Sequence, residues 1–306
     1  MAEKALVDSL LGRYAIPAWV KPYIYGYIKK NPIGAIRYAT SFIDVKRRKG
    51  EVTGSYVRLP NGVEFGIEDV VHILSLFHYG EERAAQTYEK WAKEPVPDRK
   101  EYSEFYADMS ETAEKHARAI KNLIEGIGHR PDAPSKEAVA VFDYLESLED
   151  WKERLICTNI IIKYSYGVVF GTAFYKAFYF VMPEYMRTFG KAFQGTEEVA
   201  RRGDEVARRI LREEYAGNDI KPLFEKIMRL IIRSVMAETR IAKKAKIEKE
   251  IELLSSISIA YPLVIFREEG VDVDVDEEVA RVLKIYNGAE TRHRHTQKAK
   301  NATAKV

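Results

Sequence analysis

Two consecutive stretches of helical periodicity constrain the fold of this 306-residue chain more than any other feature of its sequence. Apolar side chains recur every three or four residues over 67–94 and again over 100–127. Pro95 and Pro97 separate the two stretches, because proline cannot continue a regular helix. A link this short makes two long helices antiparallel neighbours. The sequence therefore predicts a helical hairpin.

A second predicted hairpin follows the first. A long apolar helix is expected from Trp151 to Met182, Pro183 ends it, and a further helix is expected from Glu184 to Tyr215. An amphipathic segment at 138–148 joins the two hairpins. The predicted fold class is therefore all-α, with an antiparallel four-helix bundle over 67–216.

The segments outside the bundle form three further predicted units. Residues 1–66 are expected to be an N-terminal helical segment that ends in a small β-hairpin with its turn at Asn61-Gly62. Residues 217–288 read as a C-terminal helical extension, interrupted at 271–278 by an alternating sequence typical of a short exposed strand. Residues 289–306 read as a basic flexible tail, because they contain too few apolar side chains to form a core.

Three residues of the first hairpin carry a family resemblance. Glu81 is followed seven residues later by Tyr88, and the second helix contains His116. This arrangement resembles the first two bundle helices of the rubrerythrin and ferritin-like superfamily, which pair a Glu and a Tyr with a Glu-x-x-His motif. The resemblance implies a ferritin-like bundle with Glu81 and His116 at metal-ligand positions. It also implies that Ala113 stands where the bridging glutamate of the family belongs.

The second hairpin resembles the second half of di-iron oxygenase-type members of the same superfamily, with altered ligand positions. Alignment from Pro183 places Lys163 at the position of the third-helix glutamate, Glu198 at the next glutamate and Arg201 at the histidine. An alternative alignment uses Glu205 and Arg208, and it also lacks the histidine. The resemblance therefore implies a degenerate di-iron site.

The charges at these positions predict a salt-bridged remnant of a metal site. Glu81 and Glu198 each contribute −1, Lys163 and Arg201 each contribute +1, and a neutral His116 adds nothing, so the set sums to zero without metal. Buried carboxylates need a cation, and fixed side-chain cations can supply what iron supplies in the family. Lys163 is therefore expected to be buried against one of the two glutamates. A solvated Glu81, a His116 that is simply a core residue and a surface position for Arg201 stay open as alternatives.

Two functional hypotheses follow from this site. The first is a binding or scaffold protein that has lost di-iron catalysis, needs no cofactor and associates with a protein partner or with itself. The second is an oxidase or oxygenase with a divergent di-iron or mononuclear iron site, for which Glu81, His116 and Glu198 are the candidate ligands. His72 and His78 are further candidates for a mononuclear site. Whether the protein is an enzyme stays open, although phosphate-binding loops and serine-nucleophile motifs are absent from the sequence.

The uneven distribution of charge supports a third hypothesis, an RNA- or ribosome-associated factor. The net charge is +3, yet residues 1–50 carry ten basic against three acidic side chains and residues 291–306 carry five against none. Basic side chains that meet phosphates release counterions and give salt-sensitive binding. The candidate nucleic-acid contacts are Lys46, Arg47, Arg48, Lys49, Arg292, Arg294, Lys298 and Lys300.

Three further features concern the environment of the protein. A single cysteine, Cys157, excludes an internal disulfide framework and favours a reducing compartment. The first residues lack the pattern of a secretory signal, and Lys163 and Lys176 interrupt the apolar stretch at 155–182, so a cytoplasmic protein that does not cross a membrane is expected. Only three glutamines beside many charged residues favour a thermophilic source.

Overall fold

The computed structural model describes residues 51–53, 56–58, 64–94, 100–170, 191, 197–216, 220–237, 248–275 and 277–282. Most of these residues are helical, which confirms the all-α class. The N-terminal helices predicted before residue 51, the hairpin turn at Asn61-Gly62, Lys176 and the basic tail lie outside the described residues.

Three short strands precede the helices. Strands β1 (Glu51–Thr53), β2 (Tyr56–Arg58) and β3 (Glu64–Gly66) pair antiparallel in that order. Val57 of β2 lies opposite Val52 of β1 and opposite Phe65 of β3. The chain passes from β3 directly into the first helix.

The first predicted hairpin lies where the periodicity and the prolines place it. Helix α1 covers Ile67–Lys93 and helix α2 covers Lys100–Gly126. The two helices pack along their length, and α2 ends where Gly128 adopts a φ of +84°, a conformation that favours glycine. Large side chains fill the space between α1, α2 and their neighbours, namely Trp91, Tyr102, Tyr106, Ile120 and Ile124. The hairpin therefore provides a rigid wall for any interior site.

The long apolar helix differs from its prediction. Helix α3 (Lys136–Glu146) leads to α4 (Trp151–Ile156), after which Cys157–Phe170 form a π-helix instead of continuing as an α-helix. The hydroxyls of Thr158 and Ser165 donate to carbonyl oxygens four residues earlier and so compete with the regular helical amides. Among the described residues, no helix combines the length and apolar character needed to cross a bilayer.

Three further long helices follow in the described chain, and residues 277–282 after them are also helical. Helix α5 covers Glu197–Glu214, α6 covers Lys221–Ala237 and α7 covers Glu248–Glu268. Helix α5 packs against α4, α6 packs against α3, and α7 packs against the π-helix. Helix α7 is followed by a turn at Gly270, whose φ is +86° and whose amide donates to the Arg267 carbonyl.

Helix α5 lies close to the π-helix and to α2 at Gly203. A Cβ atom built at this position would lie 2.2 Å from Asn159 Oδ1 and 2.6 Å from Phe105 Cζ. Both neighbouring side chains are buried, so they have little space to move away. Only glycine fits this crossing as it stands.

The strand predicted at 271–278 is not formed. The valines at 271, 273 and 275 are buried and the aspartates between them are exposed, as the alternation indicates. The described chain, however, provides no paired strand for this segment. Asp274 instead begins a helical turn, since its carboxylate accepts the Glu277 amide at 3.0 Å. The valines extend the core without forming a sheet.

Candidate functional site

The structure brings together the two predicted ligands of the first hairpin. His116 Nδ1 lies 3.2 Å from Glu81 Oε2, across the interface between α1 and α2. The His116 side chain is 7% exposed and that of Glu81 is 24% exposed. Ala113, one turn before His116, is buried. Glu81 is therefore a partly buried residue with an interior partner and not a freely solvated one.

Other polar groups line the same interface. His78 Nδ1 lies 3.1 Å from the Ala117 carbonyl oxygen, and the Ser110 hydroxyl donates to the Ala85 carbonyl at 2.9 Å. Tyr88 is buried, and burial together with the nearby Glu81 carboxylate raises its pKa well above the usual value. The α1–α2 interface therefore contains a row of polar groups within an otherwise apolar core.

The predicted partners of Lys163 are wrong. Its ammonium group lies 3.0 Å from the Ala200 carbonyl oxygen and 3.3 Å from Asp204 Oδ1, whereas neither Glu81 nor Glu198 forms its ion pair. Lys163 is half-buried, as is Asp204. The prediction failed on the partner because it assumed an uninterrupted α-helix, while the π-helix changes the direction in which Lys163 projects.

Asp204 is the centre of a polar cluster that joins three helices. Its Oδ1 atom also accepts the Tyr164 hydroxyl at 2.7 Å, and its Oδ2 atom accepts Arg208 Nε at 3.0 Å. Arg208 reaches onward to Glu269 at 2.8 Å, and Arg212 donates to the same carboxylate. Arg208 also lies 3.6 Å from the Glu268 carboxylate. We call Lys163, Tyr164, Asp204, Arg208, Arg212, Glu268 and Glu269 the Asp204 cluster. Its three cations and three carboxylates sum to zero.

Glu198 does not lie in the interior, so its predicted placement is wrong, and Arg201 takes the surface position that the sequence left open. The side chain of Glu198 is 70% exposed, that of Arg201 is 57% exposed, and the two pair with each other at 2.5 Å. Hydrogen bonds from Arg201 lower the pKa of the Glu198 carboxyl. Helix α5 buries Ala207 and Leu211, which places residues 198 and 201 on the opposite face.

The remaining candidate residues are those predicted to bind a metal ion and those predicted to contact nucleic acid. His72, proposed for a mononuclear site, lies 3.3 Å from Asp132 and therefore faces the loop after α2. Within the described residues, no three His, Cys, Asp or Glu side chains are grouped so that they could hold a metal ion. The candidate nucleic-acid contacts lie outside the described residues, namely Lys46, Arg47, Arg48, Lys49, Arg292, Arg294, Lys298 and Lys300.

Buried tyrosines predict a loss of stability at alkaline pH. Burial raises the pKa of Tyr144 and of Tyr215 to about 12, and burial followed by the Asp204 carboxylate raises that of Tyr164 further. Above about pH 10, the ordinary pKa of a tyrosine side chain, the unfolded chain releases phenolic protons that the folded protein retains. The contribution of these tyrosines to the free energy of unfolding should therefore be constant below about pH 10 and fall between about pH 10 and 12.

Urea titrations across this range, with tyrosinate absorbance followed in parallel, measure this effect. Unfolding that coincides with the appearance of tyrosinate agrees with the prediction. Full ionisation of all tyrosines near pH 10 in a protein that stays folded would contradict it.

Comparison with known proteins identifies no relative. No protein-family model matches the chain, and no curated protein or solved structure matches it. The resemblance to ferritin-like proteins therefore depends on the spacing of Glu81, Tyr88 and His116 and on the helical hairpins.

Proposed function

We propose that this chain is a ferritin-like helical protein that has lost di-iron catalysis and works by binding, as a scaffold for a protein partner or for further copies of itself. The observation that carries this proposal is the Asp204 cluster. Its carboxylate faces Lys163 Nζ at 3.3 Å and Arg208 Nε at 3.0 Å, so fixed cations balance its charge. In the ferritin-like di-iron proteins, metal ions balance the interior carboxylates.

The donor set of the described residues does not fit a di-iron centre. Such a centre needs about four carboxylates and two imidazoles from the bundle helices. Here Ala113 replaces one carboxylate, and Glu198 lies on the surface beside Arg201. Glu81 and His116 supply one carboxylate and one imidazole. Because every other ligand position lacks a suitable interior donor, we derive no catalytic step through iron.

Metal analysis of protein produced with added iron tests the loss of di-iron chemistry. We expect substoichiometric iron, and we expect His116→Ala to leave the metal content unchanged, because Glu81 and His116 alone provide too few ligands. Near-stoichiometric iron that is lost in His116→Ala would overturn the proposal. Glu198→Gln serves as the matched control, since it removes a surface carboxylate.

Self-association is the most direct form of the binding function to measure. Sedimentation velocity over a range of protein concentrations distinguishes a monomer from an oligomer. An oligomer supports a scaffold made of identical copies. A monomer at every concentration would mean that the scaffold function requires a different protein as its partner.

An oxidase or oxygenase with a divergent mononuclear site is the second candidate function. The observation that favours it is the 3.2 Å contact between His116 Nδ1 and Glu81 Oε2, which places one imidazole beside one carboxylate in the interior. Imidazole and carboxylate are common iron ligands. The iron measurement separates the two functions, because this candidate requires stoichiometric metal that depends on both Glu81 and His116.

A further inference from the structure

Two tyrosine rings meet where α7 packs against the π-helix. The ring of Tyr164, in the π-helix, lies 4.5 Å from the ring of Tyr261, in α7, measured between ring centroids, and the two ring planes are inclined by 50°. Among the described residues this is the closest pair of tyrosine rings, since the centroids of Tyr88 and Tyr106 are 6.1 Å apart. A separation at the short end of the range for aromatic pairs brings carbon atoms of the two rings into contact.

The hydroxyl groups of both rings lie near the same charged side chains. The Tyr164 hydroxyl donates to Asp204 Oδ1 at 2.7 Å. Burial raises the pKa of Tyr261, and the charges of Arg208 and Asp204 also act on it, so its hydroxyl is close to the same part of the Asp204 cluster. The ring carbons next to the two hydroxyls therefore lie on the same side of the pair. These are the carbons at which two phenoxyl radicals couple.

Asp204 provides Tyr164 with a proton acceptor. A phenol that loses an electron becomes a strong acid, and it must release its proton to leave a neutral phenoxyl radical. The Asp204 carboxylate is within the reach needed for direct proton transfer, and its bonds to Lys163 and Arg208 hold it in place. The hydroxyl of Tyr106, in contrast, lies 3.5 Å from a backbone carbonyl oxygen, which is a poor proton acceptor. Loss of an electron is therefore easier at Tyr164.

The tyrosine pair lies close to the protein surface. Tyr164 is half-buried and Tyr261 is 8% exposed. The side chains of Lys163 and Arg208 beside them are 26% and 25% exposed. A small oxidant can therefore come near the pair, and transfer of an electron does not require it to touch either ring.

We propose that Tyr164 and Tyr261 form an oxidative modification site, at which small one-electron oxidants such as peroxide-derived radicals join the two rings as dityrosine. Two oxidant molecules each accept one electron. One carbon–carbon bond forms between the rings and two ring carbon–hydrogen bonds break. Two protons leave for the solvent, the first by way of Asp204, and both hydroxyl groups are retained. This inference goes beyond the proposed scaffold function.

The cross-link joins α7 to the π-helix by a covalent bond. Tyr164 and Tyr261 are 97 residues apart in the sequence. A cross-link that closes so long a loop restricts the unfolded chain strongly, as a disulfide does. The oxidised protein should therefore have a higher melting temperature than the unmodified protein.

Photo-oxidation of the full chain tests the proposal. Light, tris(bipyridine)ruthenium and persulfate generate a one-electron oxidant, dityrosine is detected by its fluorescence, and mass spectrometry of proteolytic fragments locates it. We expect the main dityrosine within one chain to join residues 164 and 261, with the mass of the two fragments less two hydrogen atoms. The same reaction in urea should give a yield about tenfold lower, because unfolding separates the two rings.

Tyr261→Phe provides the decisive variant, since phenylalanine keeps the ring and removes the phenol. It should abolish the cross-link and the rise in melting temperature. Tyr106→Phe is the matched control, because it removes a phenol from the more distant tyrosine pair. It should leave the yield of the 164–261 cross-link unchanged.

A second pair of variants tests the proton acceptor. Asp204→Asn keeps the shape of the side chain but removes its basic carboxylate, so the cross-link should form about tenfold more slowly in protein that circular dichroism shows to be folded. Glu205→Gln removes an exposed carboxylate that pairs with Arg201. It should leave the rate unchanged.

Three outcomes would overturn the proposal. They are absence of a cross-link between residues 164 and 261 in the folded protein, an equal yield of this cross-link in urea, and dityrosine that forms only between separate copies of the chain. An unchanged rate in Asp204→Asn would overturn the role of Asp204 as proton acceptor. None of these readouts depends on the iron content of the protein, so failure here and failure of the proposed function are distinguishable.

Discussion

Replacement of Gly203 by alanine is expected to lower the free energy of unfolding by about 2 kcal/mol, because overpacking of a dense interior typically costs about 1–3 kcal/mol. The added Cβ would lie 2.2 Å from Asn159 Oδ1 and 2.6 Å from Phe105 Cζ, both well inside normal contact distance. Alanine raises helix propensity by up to about 1 kcal/mol, which offsets part of this loss. Urea unfolding followed by circular dichroism measures the difference.

Two further variants make the result specific to this helix crossing. Gly126→Ala adds a methyl group where nothing lies within 4 Å, so its free energy of unfolding should change by no more than about 0.5 kcal/mol. Asn159→Ala removes the nearer obstacle and should restore part of the stability of Gly203→Ala when the two are combined. A Gly203→Ala protein as stable as the unmodified one would show that α5 and the π-helix are not in close contact there.

Replacement of Asp204 by asparagine is expected to cost about 3 kcal/mol of folding free energy. The change keeps the shape of the side chain but leaves Lys163 and Arg208 without their shared negative charge, and loss of one partner from a buried ion pair typically costs about 3–5 kcal/mol. The lower end applies because both cations are partly exposed. Thermal and urea unfolding measure the loss.

A neighbouring carboxylate supplies the control for Asp204. Glu205→Gln removes the same charge from an exposed position where it pairs with Arg201, and exposed pairs contribute about 0–1 kcal/mol. Combination of Asp204→Asn with Lys163→Met should recover part of the lost stability, since it removes one of the stranded cations. Equal effects of Asp204→Asn and Glu205→Gln would contradict an energetically important Asp204 cluster.

The parts of the structure that sequence reasoning anticipates are those set by local patterns. Proline positions and helical periodicity were enough to locate α1 and α2. The seven-residue spacing and the histidine led to Glu81 and His116, which the structure places 3.2 Å apart. These successes share one physical basis, because side-chain direction along a regular α-helix follows directly from residue number.

The parts that were missed depend on departures from that regularity or on distant contacts. Residue counting from Pro183 assigned Glu198 and Arg201 to the interior, whereas α5 presents Asp204 toward Lys163. The π-helix alters the angular position of Lys163, which precedes Pro183. Glu198 and Arg201 follow Pro183, and counting assigned them to the inner face of α5, whereas Ala207 and Leu211 are the buried residues of that helix. Glu269 could not be foreseen either, since it meets Arg208 across 61 residues of sequence and belongs to no local pattern.

The position of Glu269, directly after α7, has a consequence for how the chain folds. It accepts hydrogen bonds from Arg208 and Arg212, while α7 itself covers the π-helix. If the chain were cut after α5, both arginines would lose this carboxylate and the apolar face of the π-helix would be open to water. Helix α7 therefore buries surface of helices that lie far from it in sequence. We expect α5, the π-helix and α7 to unfold as one cooperative unit. In that case the C-terminal helices are part of the core of the protein.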